Sequence, residues 1–85
     1  MKKIILIYKS TYYTIVFDKI DYIEYDVEFE NLLISVNSSQ IQFSNINNDK
    51  YSELRNTLLK IQQSTFSDWY EILTLKEMEL NFENN

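Results

Sequence analysis

Glu24, Asp26, Glu28 and Glu30 stand at every second position of a stretch whose intervening residues, Ile23, Tyr25, Val27 and Phe29, are apolar. Period-two alternation of this length is the pattern of a half-buried antiparallel strand. It would set four carboxylates on one face about 6.6–6.8 Å apart, twice the strand rise. Three chemistries use such groups. Two carboxylates can serve as acid and base on a glycosidic bond. Carboxylate oxygens can hold a hard cation. A charged row near the spacing of successive phosphates can imitate a nucleic-acid strand inside a basic groove. A domain this small seldom builds a substrate cleft and no calcium-loop spacing is present, so the third is the functional expectation. Beside it stands a structural one: the four acids are the solvated face of a one-sided sheet, which also discourages edge-to-edge aggregation. Four like charges in line repel, and a merely solvated face would usually mix in lysines.

The rest of the sequence removes most catalytic alternatives. In 85 residues there is no Gly, Pro, Cys, His or Ala, and Arg55 is the only arginine. Without His or Cys the commonest general base, the strongest nucleophile and the soft metal ligands are all missing. Without Gly there is no phosphate-cradling loop. No serine–lysine motif is recognisable. The chain is therefore expected to be no enzyme and to carry no cofactor or metal. The absence of Cys excludes a disulfide scaffold. The excess of residues with AT-rich codons suggests an AT-rich genome, that of a low-GC bacterium, its phage or a mobile element.

The net charge of −5 is uneven. Lys2, Lys3 and Lys9 make residues 1–17 basic, whereas residues 18–30 hold six acids against Lys19, and residues 64–85 are acidic again. Three N-terminal lysines are a poor footprint for nucleic acid, so direct nucleic-acid binding is not expected. The apolar run Ile4–Tyr8 is too short for a signal peptide and is cut by Lys9. Nothing reaches the length of a membrane span. The expected location is the cytoplasm, that of the host cell if the gene belongs to a phage.

The elements that must position these residues read as a single α+β domain: a small antiparallel sheet of four to five strands packed by one helix. Residues 3–9 form an apolar run suited to a strand buried on both faces. Residues 12–17, 21–30, 32–36 and 40–46 follow as strands, with Asn37 the residue suited to a left-handed turn. Tyr51, Leu54, Leu58 and Ile61 make one helical stripe, and Asn47 or Asn48 can cap it, which places a helix over residues 49–63. Residues 66–82 are open between helix and strand. Phe66, Trp69 and Leu73 fit a helical face, but Met78, Leu80 and Phe82 alternate as a strand would.

The order of two strands, the step Phe17-Asp18-Lys19-Ile20-Asp21-Tyr22-Ile23-Glu24, a hairpin and a helix resembles short bacterial β-rich domains of the flagellar FlbD type over residues 3–61. That resemblance implies a sheet-plus-helix fold and carries no activity. In size, acidity and composition the chain also resembles, as a type, the small phage inhibitors of bacterial immunity such as anti-CRISPR proteins, a class without a shared motif.

Seven tyrosines exceed what a core of this size needs, so some must reach the surface, where Tyr and Trp favour interfaces. Trp69 either closes the core or serves as an exposed anchor, and Tyr70 is open between the two. The leading expectation is a non-catalytic inhibitor or adaptor docking on a basic protein, possible targets including a nucleic-acid-handling effector. Glu24, Asp26, Glu28 and Glu30 would be its charged contact, with Tyr22 and Tyr70 as aromatic neighbours. The alternative is a structural module, a homodimer joined through a sheet edge or the C-terminal tail.

Overall fold

The first strand, β1 (Lys2–Tyr8), returns through a two-residue turn into β2 (Thr11–Val16), pairing Lys3 with Val16 and Tyr8 with Thr11. A single 3-10 turn, Phe17–Lys19, leads on to β3 (Ile20–Asp26), β4 (Asn31–Val36) and β5 (Ser39–Phe43), an antiparallel meander. One helix follows, α1 (Asn48–Gln63), and then β6 (Trp69–Lys76), which lies parallel to β1. The computed structural model describes residues 1–79. Over these residues the chain is α+β, with six strands in two three-stranded sheets of order β2-β1-β6 and β3-β4-β5.

The one antiparallel sheet of four to five strands expected from the sequence is thus two sheets, one of which contains a parallel pair. A parallel neighbour cannot be reached by a hairpin and needs a long crossover. The meander and α1 together supply it. The tail resolves as strand over residues 69–76, and Met78 lies beyond its end. Leu80 and Phe82 fall outside the described residues.

The inner faces of both sheets and one stripe of α1 share the core. Ile4, Leu6, Ile15 and Leu75 enter it from the N-terminal sheet, and Leu32, Ile34 and Phe43 from the meander. Leu54 and Ile61 enter from α1, and Ile46 from the segment before it. Tyr51 and Leu58 pack on its margin, so the stripe read from the 3.6 period is the buried one. Asn47 caps α1 by accepting the Lys50 N–H at 2.8 Å. At the other end Lys2 Nζ donates to the carbonyls of Gln62 (3.3 Å) and Ser64 (3.0 Å), occupying acceptors that a helix terminus leaves open and setting a cation at its negative pole.

A chain without glycine must place ordinary residues in left-handed backbone. Lys9, Glu30, Asn37, Ser38 and Asn45 all have positive φ, from 50° to 67°. Asn37 and Ser38 are the two centre residues of the β4–β5 hairpin, the type I′ arrangement that matches strand twist. Asn37 tolerates this conformation; Ser38, at φ 67°, does so against its Cβ. Ser38→Gly is expected to raise unfolding stability by about 0.5–1 kcal/mol, the steric relief outweighing the added freedom of the unfolded chain. Urea denaturation would show it as a higher midpoint at unchanged slope.

Candidate functional site

The acidic segment does not continue as a strand to Glu30. Pairing with β4 ends at Asp26 opposite Asn31, and residues 27–30 form a four-residue turn. Asp26 closes it: Oδ1 accepts the N–H groups of Glu28 (3.0 Å) and Phe29 (3.2 Å), the short-range bonding by which aspartate competes with a ladder. Glu30 takes φ 55°, and its carbonyl accepts the Ile46 N–H at 2.9 Å, which anchors the base of the turn to the chain before α1.

Only two of the four expected carboxylates therefore share a strand face. Glu24 and Asp26 stand with Asn31, Leu33 and Gln42 around a shallow hollow of about 200 Å³. Glu28 and Glu30 belong to the turn. Val27 and Phe29, whose alternation marked them for the core, are each 67% exposed. The reason is that the inward side of β3 has ended at Tyr25. Tyr25 stacks on Tyr51 (4.4 Å between ring centroids, 10° between planes) and donates its hydroxyl to the Ile46 carbonyl at 2.6 Å. Burial, and then the Glu30 and Asp26 carboxylates, push its phenol above the ordinary pKa of 10.0. Among the described residues the ion pairs are Lys50–Glu53 and the Met1 amine with Asp68, so no cation pairs with Glu24, Asp26, Glu28 or Glu30.

Tyr22 lies on the same outer face as Glu24. Its hydroxyl accepts from Gln40 Nε2 at 2.8 Å, and the pair spans β4 above Ser35. Tyr70 is elsewhere, on the N-terminal sheet. Pairing sets Lys3, Val16 and Tyr70 in one row, Ile5, Thr14 and Ile72 in the next, and Ile7, Tyr12 and Thr74 in the third. These residues form the outer face of that sheet, opposite the side that carries Ile4, Leu6 and Ile15 to the core. β1, expected from its sequence to be buried on both faces, is apolar on both sides but buried on one: among the described residues no element covers the second side.

Trp69 is 39% exposed and stacks on Phe66 (5.5 Å, 9°) at the start of β6, between clefts of about 500 Å³ (Met1, Lys3, Asp68, Tyr70) and about 420 Å³ (Lys60, Gln63, Thr65, Glu71). It does not close the core. Among the described residues no three Asp or Glu side chains converge to hold a metal ion, and no helix is long and apolar enough to cross a membrane.

Val27 and Phe29 are the site residues that sequence reasoning missed. Asp26 was the available signal, as an aspartate able to start a turn, but the unbroken alternation around it pointed the other way. Comparison of the chain with protein-family models, with curated proteins and with solved structures finds no match in any of the three.

Proposed function

We propose that this domain is a non-catalytic protein-binding module that offers the β3–β4 turn to a partner with a basic surface. The observation that carries this reading is the pair Val27 and Phe29, exposed at the turn and flanked by Asp26, Glu28 and Glu30, none of which has a cation partner among the described residues. An aromatic anchor ringed by acids suits an apolar pocket with a basic rim: burial of Phe29 supplies affinity, and the carboxylates supply orientation and association rate. The backbone bonds to Asp26 and Ile46 hold the turn before any partner arrives, which lowers the ordering cost of binding. A groove that handles nucleic acid is one such surface. The docking element is a tip, with Glu24 next to it on β3 and Tyr22 farther along the same face, and not a row of four phosphate-like charges.

The test is a tagged retention experiment in lysate of an AT-rich bacterial host, comparing the natural chain with Phe29→Ser and with Glu24→Lys/Glu28→Lys. All three positions are exposed, so folding should survive. The expected result is a basic protein held by the natural chain and weakened at least tenfold by either variant, about 1.4 kcal/mol. Binding through the charge pair should also weaken as salt rises, because exposed charges are screened. A partner retained equally by all three proteins overturns the assignment.

A further inference from the structure

We infer that the outer face of the N-terminal sheet is closed by a second copy of this chain. This goes beyond the acidic turn and uses none of its residues. Ile5 and Ile7 are only half-shielded by their neighbours, and Tyr12 (69% exposed), Tyr70 and Ile72 stand open around them. A three-stranded sheet with one apolar face against its own core and another facing water is an incomplete sandwich. Single exposed hydrophobes need no explanation, but a contiguous block of them marks an interaction surface.

Three properties of the face select its own copy as the occupant. The first is charge. The chain carries −5, yet the three paired rows of this face hold no carboxylate; Lys3 at one end is their single ionised side chain, and beyond it Asp68 is already paired with the Met1 amine. A basic partner finds no unpaired acid in these rows and an acidic one finds only Lys3, whereas a second largely uncharged face meets it without stranding a charge.

The second is shape. The two tyrosines occupy diagonally opposite corners: Tyr12 on β2 in the row of Ile7, and Tyr70 on β6 in the row of Lys3. The other two corners hold the smaller Val16 and Thr74. A twofold axis lying between the faces and perpendicular to the strands sets Tyr12 over Val16 of the second copy and Tyr70 over Thr74. It keeps Ile5 and Ile72 on their own equivalents and moves the two Lys3 side chains to opposite ends. Large residues thus meet small ones at every corner, which an isologous contact requires.

The third is area. Three strands of about seven residues give a footprint of roughly 14 by 24 Å. With side-chain relief the two faces together bury on the order of 1,000 Å², the lower limit for a specific contact. The dimer should accordingly be reversible, with a dissociation constant in the micromolar range.

Sedimentation velocity on the full chain from about 1 μM to about 500 μM, which spans that range, tests the inference. The natural chain should pass from monomer to dimer. Ile72→Asp, which places a carboxylate on its own equivalent, should raise the dissociation constant at least tenfold with an unchanged circular dichroism spectrum. Tyr12→Ser provides the same readout at a site so exposed that the folded monomer loses little packing. Phe29→Ser should leave the dimer unaltered, so a failure here and a failure of the turn as a docking site appear in different variants. A natural chain that stays monomeric at about 500 μM overturns the inference. So does a dimer indifferent to both face variants, which would place the contact away from this face.

Discussion

Phe43→Ala is expected to cost about 3–5 kcal/mol, a large share of the stability a domain of this length has. Phe43 is buried on the inner face of β5, where its ring meets Tyr8 (5.2 Å, 55°) and Tyr13 (5.1 Å, 88°) of the N-terminal sheet. It is therefore the aromatic side chain that joins the two sheets. Each tilted or edge-on contact contributes about 0.5–1.5 kcal/mol beyond area burial, and the vacated volume adds a cavity cost because the sheets cannot close over it. Tyr8 is also tied to the segment after β5 by its hydroxyl, which donates to the Ser44 carbonyl at 3.0 Å, so it cannot swing in to fill the gap. A domain of this length has a total stability of only about 4–13 kcal/mol. Chemical denaturation followed by tyrosine and tryptophan fluorescence would read the loss, and Phe43→Leu should cost clearly less. An alanine variant as stable as the natural chain would mean that the two sheets do not depend on this contact.

The elements that were legible in the sequence are those fixed by near neighbours. The stripe Tyr51, Leu54, Leu58 and Ile61 and the cap at Asn47 define α1 almost to the residue, because helix periodicity and capping involve positions a few apart. Asn37 was likewise legible as a left-handed turn residue. The partition into two sheets was not. Alternation says which side of a strand is apolar, but not which strand lies beside it, and the partner of β1 begins at Trp69. The same blindness affected the tail. Phe66, Trp69 and Leu73 repeat at helical spacing, yet β1 offers an unpaired edge along its full length, and residues 69–76 take it. Leu73 packs against the core while Trp69 stays half out.

For the candidate site, the acids and the aromatics were visible and their arrangement was not. The alternation of residues 23–30 runs unbroken through the point where the strand stops, because the turn residues Val27 and Phe29 are also apolar. What ends the strand is not hydrophobicity. Asp26 satisfies two backbone N–H groups with its side chain, and Asn31 then pairs back to it, fixing a four-residue turn. Local side-chain bonding overrode the period, and it turned two residues marked for the core into the exposed tip on which the proposed function rests. The run Ile4-Ile5-Leu6-Ile7 made β1 legible as apolar on both sides, but the burial of both faces expected from it is met on one side alone, because an apolar run does not say what covers it.

Asp21→Ala is expected to cost about 2 kcal/mol although Asp21 itself is exposed. The register between β3 and β4 slips between Ile20 and Tyr22, which leaves Asp21 at an irregularity. From there Oδ2 accepts from Ser35 Oγ at 3.0 Å and from the Ser38 N–H at 2.7 Å. Ser35 is 2% exposed, the one buried polar side chain among the described residues, and it sits beneath the bridge from Tyr22 to Gln40. Removing the carboxylate strands the Ser35 hydroxyl in a place water reaches poorly, and an unmet buried donor costs about 1–3 kcal/mol. It also frees the Ser38 N–H, in a turn already held at positive φ. The decisive comparison is a double-mutant cycle. Asp21→Ala in a Ser35→Ala background should be markedly milder, because the stranded donor is then gone, whereas independent effects would add. Asp21→Asn, which keeps an acceptor oxygen, should recover much of the loss. If the two substitutions add, the carboxylate acts through the Ser38 turn alone, and the buried serine is satisfied by some other means.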